Sequence, residues 1–317
     1  MSLSSKAIIY CPFAEENRAM FSGLSAFPLT PMKHGIVDEI AFIRLIERLA
    51  DAGVDSIGAL GSTGNYAYLT RQERTCIAQL AVKHAGDVPV IIGISALSTQ
   101  EVLALAEDAQ AAGASAVLLA PMSYQKLSED EVFGLYETVT RQLSVPLCVY
   151  DNPGTTHFEF SDELHGRIAQ LPNVGSIKIP GVPAEPEAAR VRVEHLRMLI
   201  PSHVTIGVSG DPLAATGLNA GCEAWYSVIG GLFPQTALAI TRASQAGNSQ
   251  EALRLSESLN PLWALFSQHG GSLRVVATAA ELKGLAASPC LPLPLKALEG
   301  TDRKALAKQL DKLQLPC

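Results

Sequence analysis

The sequence predicts a (β/α)8 barrel with a C-terminal helical extension, on three observations. Eight short apolar, strand-like runs alternate with amphipathic helical windows at a spacing near 30 residues. Strands that alternate with helices imply a parallel sheet, because parallel strands need crossover connections. A faint repeat marks the units: Ala52-Gly53, Ala112-Gly113 and Ala220-Gly221 each close a helical window just before a strand, at separations of 60 and 108 residues. Glycine suits a helix C-terminus that ends in a left-handed residue. Finally, no G-x-G-x-x-G follows the first strand, which weighs against an open doubly wound sheet.

The predicted strands, in order, are Gly23–Leu29, Ser56–Leu60, Val88–Ile94, Ala114–Ala120, Pro146–Tyr150, Gly175–Ile179, Val204–Val208 and Glu223–Val228. Among the helical windows, Asp38–Ala52 places Ile40, Ile43, Leu45, Ile46 and Leu49 at helical spacing. Beyond about residue 234 the strand signal stops. Ser249–Gln268, Ser272–Ala287 and Thr301–Leu313 read as helices, separated by Gly270-Gly271 and the proline-rich Pro289–Pro294. The expected division is an N-terminal arm at 1–21, a barrel at 22–245 and a helical extension at 246–317.

Composition narrows the function. Hydrophobic residues make up 48% of the 317 and charged residues 17%, enough to bury a core. Against 24 Lys and Arg stand 31 Asp and Glu, a formal net charge of −7 that argues against a nucleic-acid partner. The six cysteines form no CxxC pair and the histidines are dispersed, so neither a disulfide framework nor a metal cofactor is expected. The longest apolar stretch, Val88–Leu97, is too short to cross a bilayer, which takes about 20 residues. The N-terminus lacks a signal-peptide pattern, and a cytoplasmic location is expected.

In such barrels, chemistry sits at the C-terminal ends of the strands. There the sequence places Gly61-Ser62-Thr63-Gly64, Pro121-Met122-Ser123-Tyr124, Tyr150-Asp151-Asn152-Pro153 and, in strand six, Lys178. Alternation puts Ser176 and Lys178 on the inner face, with Gly175, Ile177 and Ile179 against the helices; Cys148 and Tyr150 point inward, Leu147 and Val149 outward. Tyr150 and Lys178 lie one βα unit apart and should be neighbours at the rim. A lysine inside a barrel is costly as an ammonium and can respond by losing its proton, becoming an amine nucleophile suited to a Schiff base. From pattern alone, a Lys178 that reaches solvent or pairs with a distant carboxylate is an equal alternative. Tyr150 could shuttle protons or be a hydrogen-bonded rim aromatic. Ser62 and Thr63 could cradle a carboxylate or form an ordinary βα turn.

Taken together, Ser25-Ala26-Phe27-Pro28-Leu29-Thr30-Pro31, Gly61-Ser62-Thr63-Gly64, Tyr150-x-x-Pro153, Lys178 and Ser209-Gly210-Asp211 resemble the dihydrodipicolinate synthase / N-acetylneuraminate lyase superfamily of class I, pyruvate-using aldolases, over about residues 22–310. The resemblance implies an imine between Lys178 and a 2-oxo acid such as pyruvate, with Tyr150 as proton relay and Ser62 at a relay position usually held by Thr. It implies carboxylate binding by Thr63 in the Gly61 turn. It makes Tyr124 the tyrosine that completes a neighbouring subunit's relay, in a homotetramer built from dimers. No metal or organic cofactor is implied. The aldehyde partner would be chosen near Thr155, Ser209 and Ile229.

Besides Ser62, four positions depart from the family pattern. Thr155 stands where true dihydrodipicolinate synthases carry a substrate-binding Arg, Asn65 replaces the usual Glu, and Ile179-Pro180 replaces a commonly polar stretch. The expected activity is therefore a class I carbon–carbon lyase other than dihydrodipicolinate synthase. The alternatives are a sugar-acid dehydratase using the same lysine, or an inactive barrel that binds a 2-oxo acid.

Overall fold

The computed structural model describes residues 20–316. Eight parallel strands close a barrel: β1 (Gly23–Ala26), β2 (Ser56–Ala59), β3 (Val90–Gly93), β4 (Ala116–Leu119), β5 (Leu147–Tyr150), β6 (Val174–Ile179), β7 (Thr205–Val208) and β8 (Ala224–Ser227), with β8 pairing back to β1. Eight helices follow the strands in turn: α1 (Glu39–Ala52), α2 (Arg71–His84), α3 (Thr99–Ala111), α4 (Glu129–Thr140), α5 (Asp162–Ala169), α6 (Pro186–Leu199), α7 (Ala214–Asn219) and α8 (Pro234–Gln245). Seven of the predicted strands contain an observed one, and the sixth, expected from Gly175, begins one residue earlier at Val174. Gly53, Gly113 and Gly221 adopt the left-handed φ of 71°, 88° and 105° that the repeat called for.

Beyond the barrel come four further helices, α9 (Ser249–Glu257), α10 (Asn260–Gln268), α11 (Leu273–Leu282) and α12 (Gly300–Leu313). The helix expected over Ser249–Gln268 is thus two, because Pro261 lacks the N–H that a continuous ladder needs and instead opens α10. The helix expected to reach Ala287 ends at Leu282, just ahead of Gly284, whose φ is +68°. Most of the arm expected at 1–21 lies outside the described residues. Phe21, at its end, is 1% exposed and belongs to the barrel interior.

Two apolar layers result. Between strands and helices, the buried face of α1 is Ala41, Phe42, Leu45, Ile46 and Leu49; Ile40, expected on that face, is 73% exposed. The short side chain of Ala41 and the ring of Phe42 complete the stripe instead. Inside the barrel lies a separate cluster that includes Phe21, Phe27, Cys148, Tyr150 and Tyr226.

Glycines make room for these rings. A Cβ at Gly58 would lie 2.3 Å from the Phe27 ring, and one at Gly207 would lie 2.2 Å from that of Tyr226. Gly58→Ala is accordingly expected to cost about 1–3 kcal/mol by overpacking, read by chemical denaturation; an unchanged midpoint would contradict it.

On β6 the alternation has one irregularity. Leu147 pairs with Val174 but Cys148 pairs with Ser176, so Gly175 is the extra residue of a β-bulge. Gly175, expected to face the helices, instead lies against Phe21, whose ring a Cβ there would approach to 2.6 Å. Beyond the bulge, Ile177 and Ile179 pack outward, while Ser176 and Lys178 point inward.

Candidate active site

Lys178 and Tyr150 are register partners on β6 and β5. Lys178 is 4% exposed, and its Nζ lies 3.9 Å from the centroid of the Phe27 ring, 4.1 Å from that of Tyr150 and 5.4 Å from that of Tyr226. It forms no ion pair among the described residues. Burial lowers its pKa to about 7, against the smaller opposing pull of Cys148 and Asp211. Three aromatic faces interact favourably with an ammonium but donate no countercharge. A substantial share of amine is therefore present at neutral pH.

The hydroxyl of Tyr150 meets Ser62 Oγ at 3.2 Å and accepts a hydrogen bond from Asn152 Nδ2 at 2.8 Å; the same amide nitrogen donates to Ser62 Oγ at 3.3 Å. This closed triangle fixes the phenol beside the amine. Burial pushes the phenol's pKa up, outweighing the bonds from Ser62 and Asn152. It stays protonated at neutral pH, able to give a proton and recover it through its neighbours. Below, Ser176 Oγ, Thr205 Oγ1 and the Tyr226 hydroxyl form a buried chain, with 2.6 Å between Ser176 and Tyr226 and 2.8 Å between Thr205 and Ser176.

A cavity of about 850 Å³ opens above the amine, and Ser62, Thr63, Thr155 and Ser209 line it. Thr155 sits on a one-turn helix (Pro153–Thr156) and donates to the Asn152 carbonyl at 3.4 Å. Ser209 Oγ donates to the Ile179 carbonyl at 2.9 Å. Asn65, which lines the cavity, takes a left-handed φ of 58° that Asn tolerates better than Glu does, and its Nδ2 donates to the Thr30 carbonyl at 3.4 Å.

Three expected positions lie elsewhere. Gly61 does not reach the cavity; it is packed by the Phe27 ring. Ile229 is 1% exposed and turned into the core, its neighbour Val228 lining the cavity in its place. What Ile229 contributes is its N–H, which donates to Asp211 Oδ2 at 2.7 Å. Tyr124 is 91% exposed on the loop after β4 and does not line the cavity.

Asn152 and Asp211 carried no expected role. Alternation from Tyr150 would have put Asn152 on the inner face. Asp211 also accepts from Trp225 Nε1 at 3.0 Å, Ser227 Oγ at 3.3 Å and the Val228 N–H at 3.2 Å, so its carboxylate ties the turn after β7 to the end of β8. Its pKa is nonetheless raised, burial outweighing these bonds. Among the described residues no cluster of His, Cys, Asp and Glu could hold a metal, and no helix is long and apolar enough to cross a membrane.

The Dihydrodipicolinate synthetase family matches residues 20–313 of this chain. The chain belongs to this family. The 4-hydroxy-tetrahydrodipicolinate synthase of Parvibaculum lavamentivorans is 33% identical over 279 residues, covering 87% of this chain and 92% of that protein. The dihydrodipicolinate synthase of Agrobacterium tumefaciens str. C58 superposes with a TM-score of 0.89 at 44% identity, over 94% of this chain and 99% of that one. The chloride-inhibited dihydrodipicolinate synthase of Acinetobacter baumannii, solved in complex with pyruvate, gives a TM-score of 0.84 at 25% identity, over 93% and 100% of the two chains. Membership in the Dihydrodipicolinate synthetase family brings its general reaction type, that of a class I Schiff-base lyase or aldolase, and a small 2-oxo acid as the kind of substrate.

The depressed amine pKa has a consequence for stability. Between about pH 7 and the ordinary ammonium value of 10.5, the unfolded chain holds a proton at Lys178 that the folded chain does not. Stability therefore rises with pH across that window, by up to ~1.4 kcal/mol per unit. Denaturation of the protein and of Lys178→Met at about pH 7, 8 and 9 is expected to show their difference moving in favour of the unmutated chain; a flat difference would place the amine in water.

Proposed function

We propose that this protein is a class I lyase that makes or breaks a carbon–carbon bond beside pyruvate or a related 2-oxo acid, through an imine on Lys178. The observation that carries the reading is a buried lysine, enclosed by three aromatic rings and without an ion-pair partner among the described residues, next to a hydrogen-bonded tyrosine. The neutral amine attacks the ketone carbon, and the Tyr150 hydroxyl protonates the oxygen, which leaves as water. The resulting imine withdraws electrons from the neighbouring carbon, which loses a proton to give an enamine that attacks an aldehyde; cleavage is the reverse. Thr63, with Ser62 beside it, is suited to hold the carboxylate at the cavity floor. Tyr124 has the exposure required of a residue that serves a neighbouring subunit, in the homotetramer the family resemblance implies.

The test is reduction with borohydride in the presence of pyruvate. Mass spectrometry is expected to find a pyruvyl adduct at Lys178, and its absence across a panel of 2-oxo acids would overturn the assignment.

The second substrate differs from that of a dihydrodipicolinate synthase. Thr155 offers no guanidinium to the carboxylate of aspartate semialdehyde, and an ion-paired hydrogen bond of that kind is worth about 1.5–3 kcal/mol. Aspartate semialdehyde is expected to condense with a kcat/KM about ten- to a hundredfold below that of the preferred aldehyde. Efficient condensation would contradict this.

A further inference from the structure

Pyruvate would fill only a small part of a cavity of about 850 Å³, a volume in the range that encloses drug-sized ligands. The surplus space lies toward the C-terminal helices. Trp263 and Phe266 on α10, Leu273 and Arg274 on α11, and Leu295 on the segment before α12 form the outer wall. The two rings lie 5.4 Å apart and tilted by 55°. The Trp263 Nε1–H donates to the Ser256 carbonyl at 3.0 Å, so the indole turns no donor toward the cavity. Trp263, Phe266, Leu273 and Leu295 make this part of the wall largely apolar, with Ser267 and Ser272 beside them, a surface that favours an aromatic body.

Arg274 is different. Lys178 aside, it is the only cationic side chain lining the cavity among the described residues. It is exposed, in the first turn of α11, and its guanidinium makes no hydrogen bond or ion pair among those residues. The acid that lines the cavity, Asp211, lies in the turn after β7 and already accepts four hydrogen bonds. An unpaired planar fork of donors beside an apolar wall fits a carboxylate at the far end of a rigid apolar ligand.

We propose that the aldehyde partner is an aryl aldehyde carrying a carboxylate remote from its reacting carbon. Its ring lies against Trp263, Phe266 and Leu295, and its carboxylate is held by Arg274. The assignment rests on the imine reading of Lys178. In the condensation the enamine carbon forms the new bond to the aldehyde carbon, and the aldehyde oxygen takes up a proton. The water released when the imine formed is consumed when it hydrolyses, which frees the amine and a 4-hydroxy-2-oxo acid.

The experiment compares 4-formylbenzoate with benzaldehyde as partners of pyruvate, in the unmutated protein and in Arg274→Ala and Arg274→Lys. The KM ratio of 4-formylbenzoate to benzaldehyde is expected to rise about ten- to a hundredfold in Arg274→Ala, with partial recovery in Arg274→Lys. A ratio unmoved by either substitution overturns the proposal. So does a preference of the unmutated protein for glyceraldehyde over both aryl aldehydes. Borohydride trapping of pyruvate in the unmutated protein separates the two levels. If trapping persists while the ratio stays put, the aldehyde assignment alone falls; if trapping fails, the imine reading falls and this one with it.

Discussion

Lys178→Met is expected to give a folded barrel that traps no pyruvate on borohydride treatment and loses at least about four orders of magnitude in kcat/KM, on the order of 5 kcal/mol of transition-state stabilisation. Methionine matches the length of the lysine stem and leaves the rings of Phe27, Tyr150 and Tyr226 in contact with an apolar chain. It removes a buried amine rather than a packing element, so folding is expected to survive. Lys178→Arg is the sharper companion: it keeps a cation but has no deprotonated form at any working pH. Both variants should lack the adduct. Retention of the adduct in either would mean that a different amine carries the chemistry.

Tyr150→Phe should slow turnover by about a hundred- to a thousandfold while changing the KM for pyruvate only a few-fold. The hydroxyl that would move protons disappears, whereas the ring that faces Lys178 stays. Ser62 and Asn152 remain hydrogen-bonded to each other at 3.3 Å, so the pocket should keep its shape. The adduct should still form, more slowly, and rapid-quench trapping separates that from loss of binding. A variant with unaltered kcat would remove Tyr150 from the proton path.

What was legible in the sequence follows from which physical rules are local. Strand alternation is a two-residue rule, so it oriented Cys148, Tyr150, Ser176 and Lys178 correctly without any knowledge of their neighbours. The same rule extended to Asn152 would have found the donor to Tyr150. It misplaced Gly175 because a bulge depends on the adjacent strand and on Phe21, a residue far away in the chain. Ile229 was misassigned for a similar reason, since the turn after β8 is shaped by the Asp211 carboxylate arriving from the turn after β7. The wall made by Trp263, Phe266 and Arg274 left no trace at all. Helical spacing shows that residues share a face but not what the face looks toward. Tyr124, 91% exposed, does not line the cavity, and the role proposed for it concerns assembly, which a single chain's periodicity does not encode.

The extra residue at Gly175 has an implication for how this chain can vary. A strand's parity is set by counting, and one added position between Val174 and Ser176 is what turns Lys178 to the inside while Val174 still packs outside. Shortening that stretch by one would swing the amine among the surrounding helices, however well the rest of the barrel closed. The outward positions Ile177 and Ile179 are therefore open to apolar exchange in a way that the length of β6 is not.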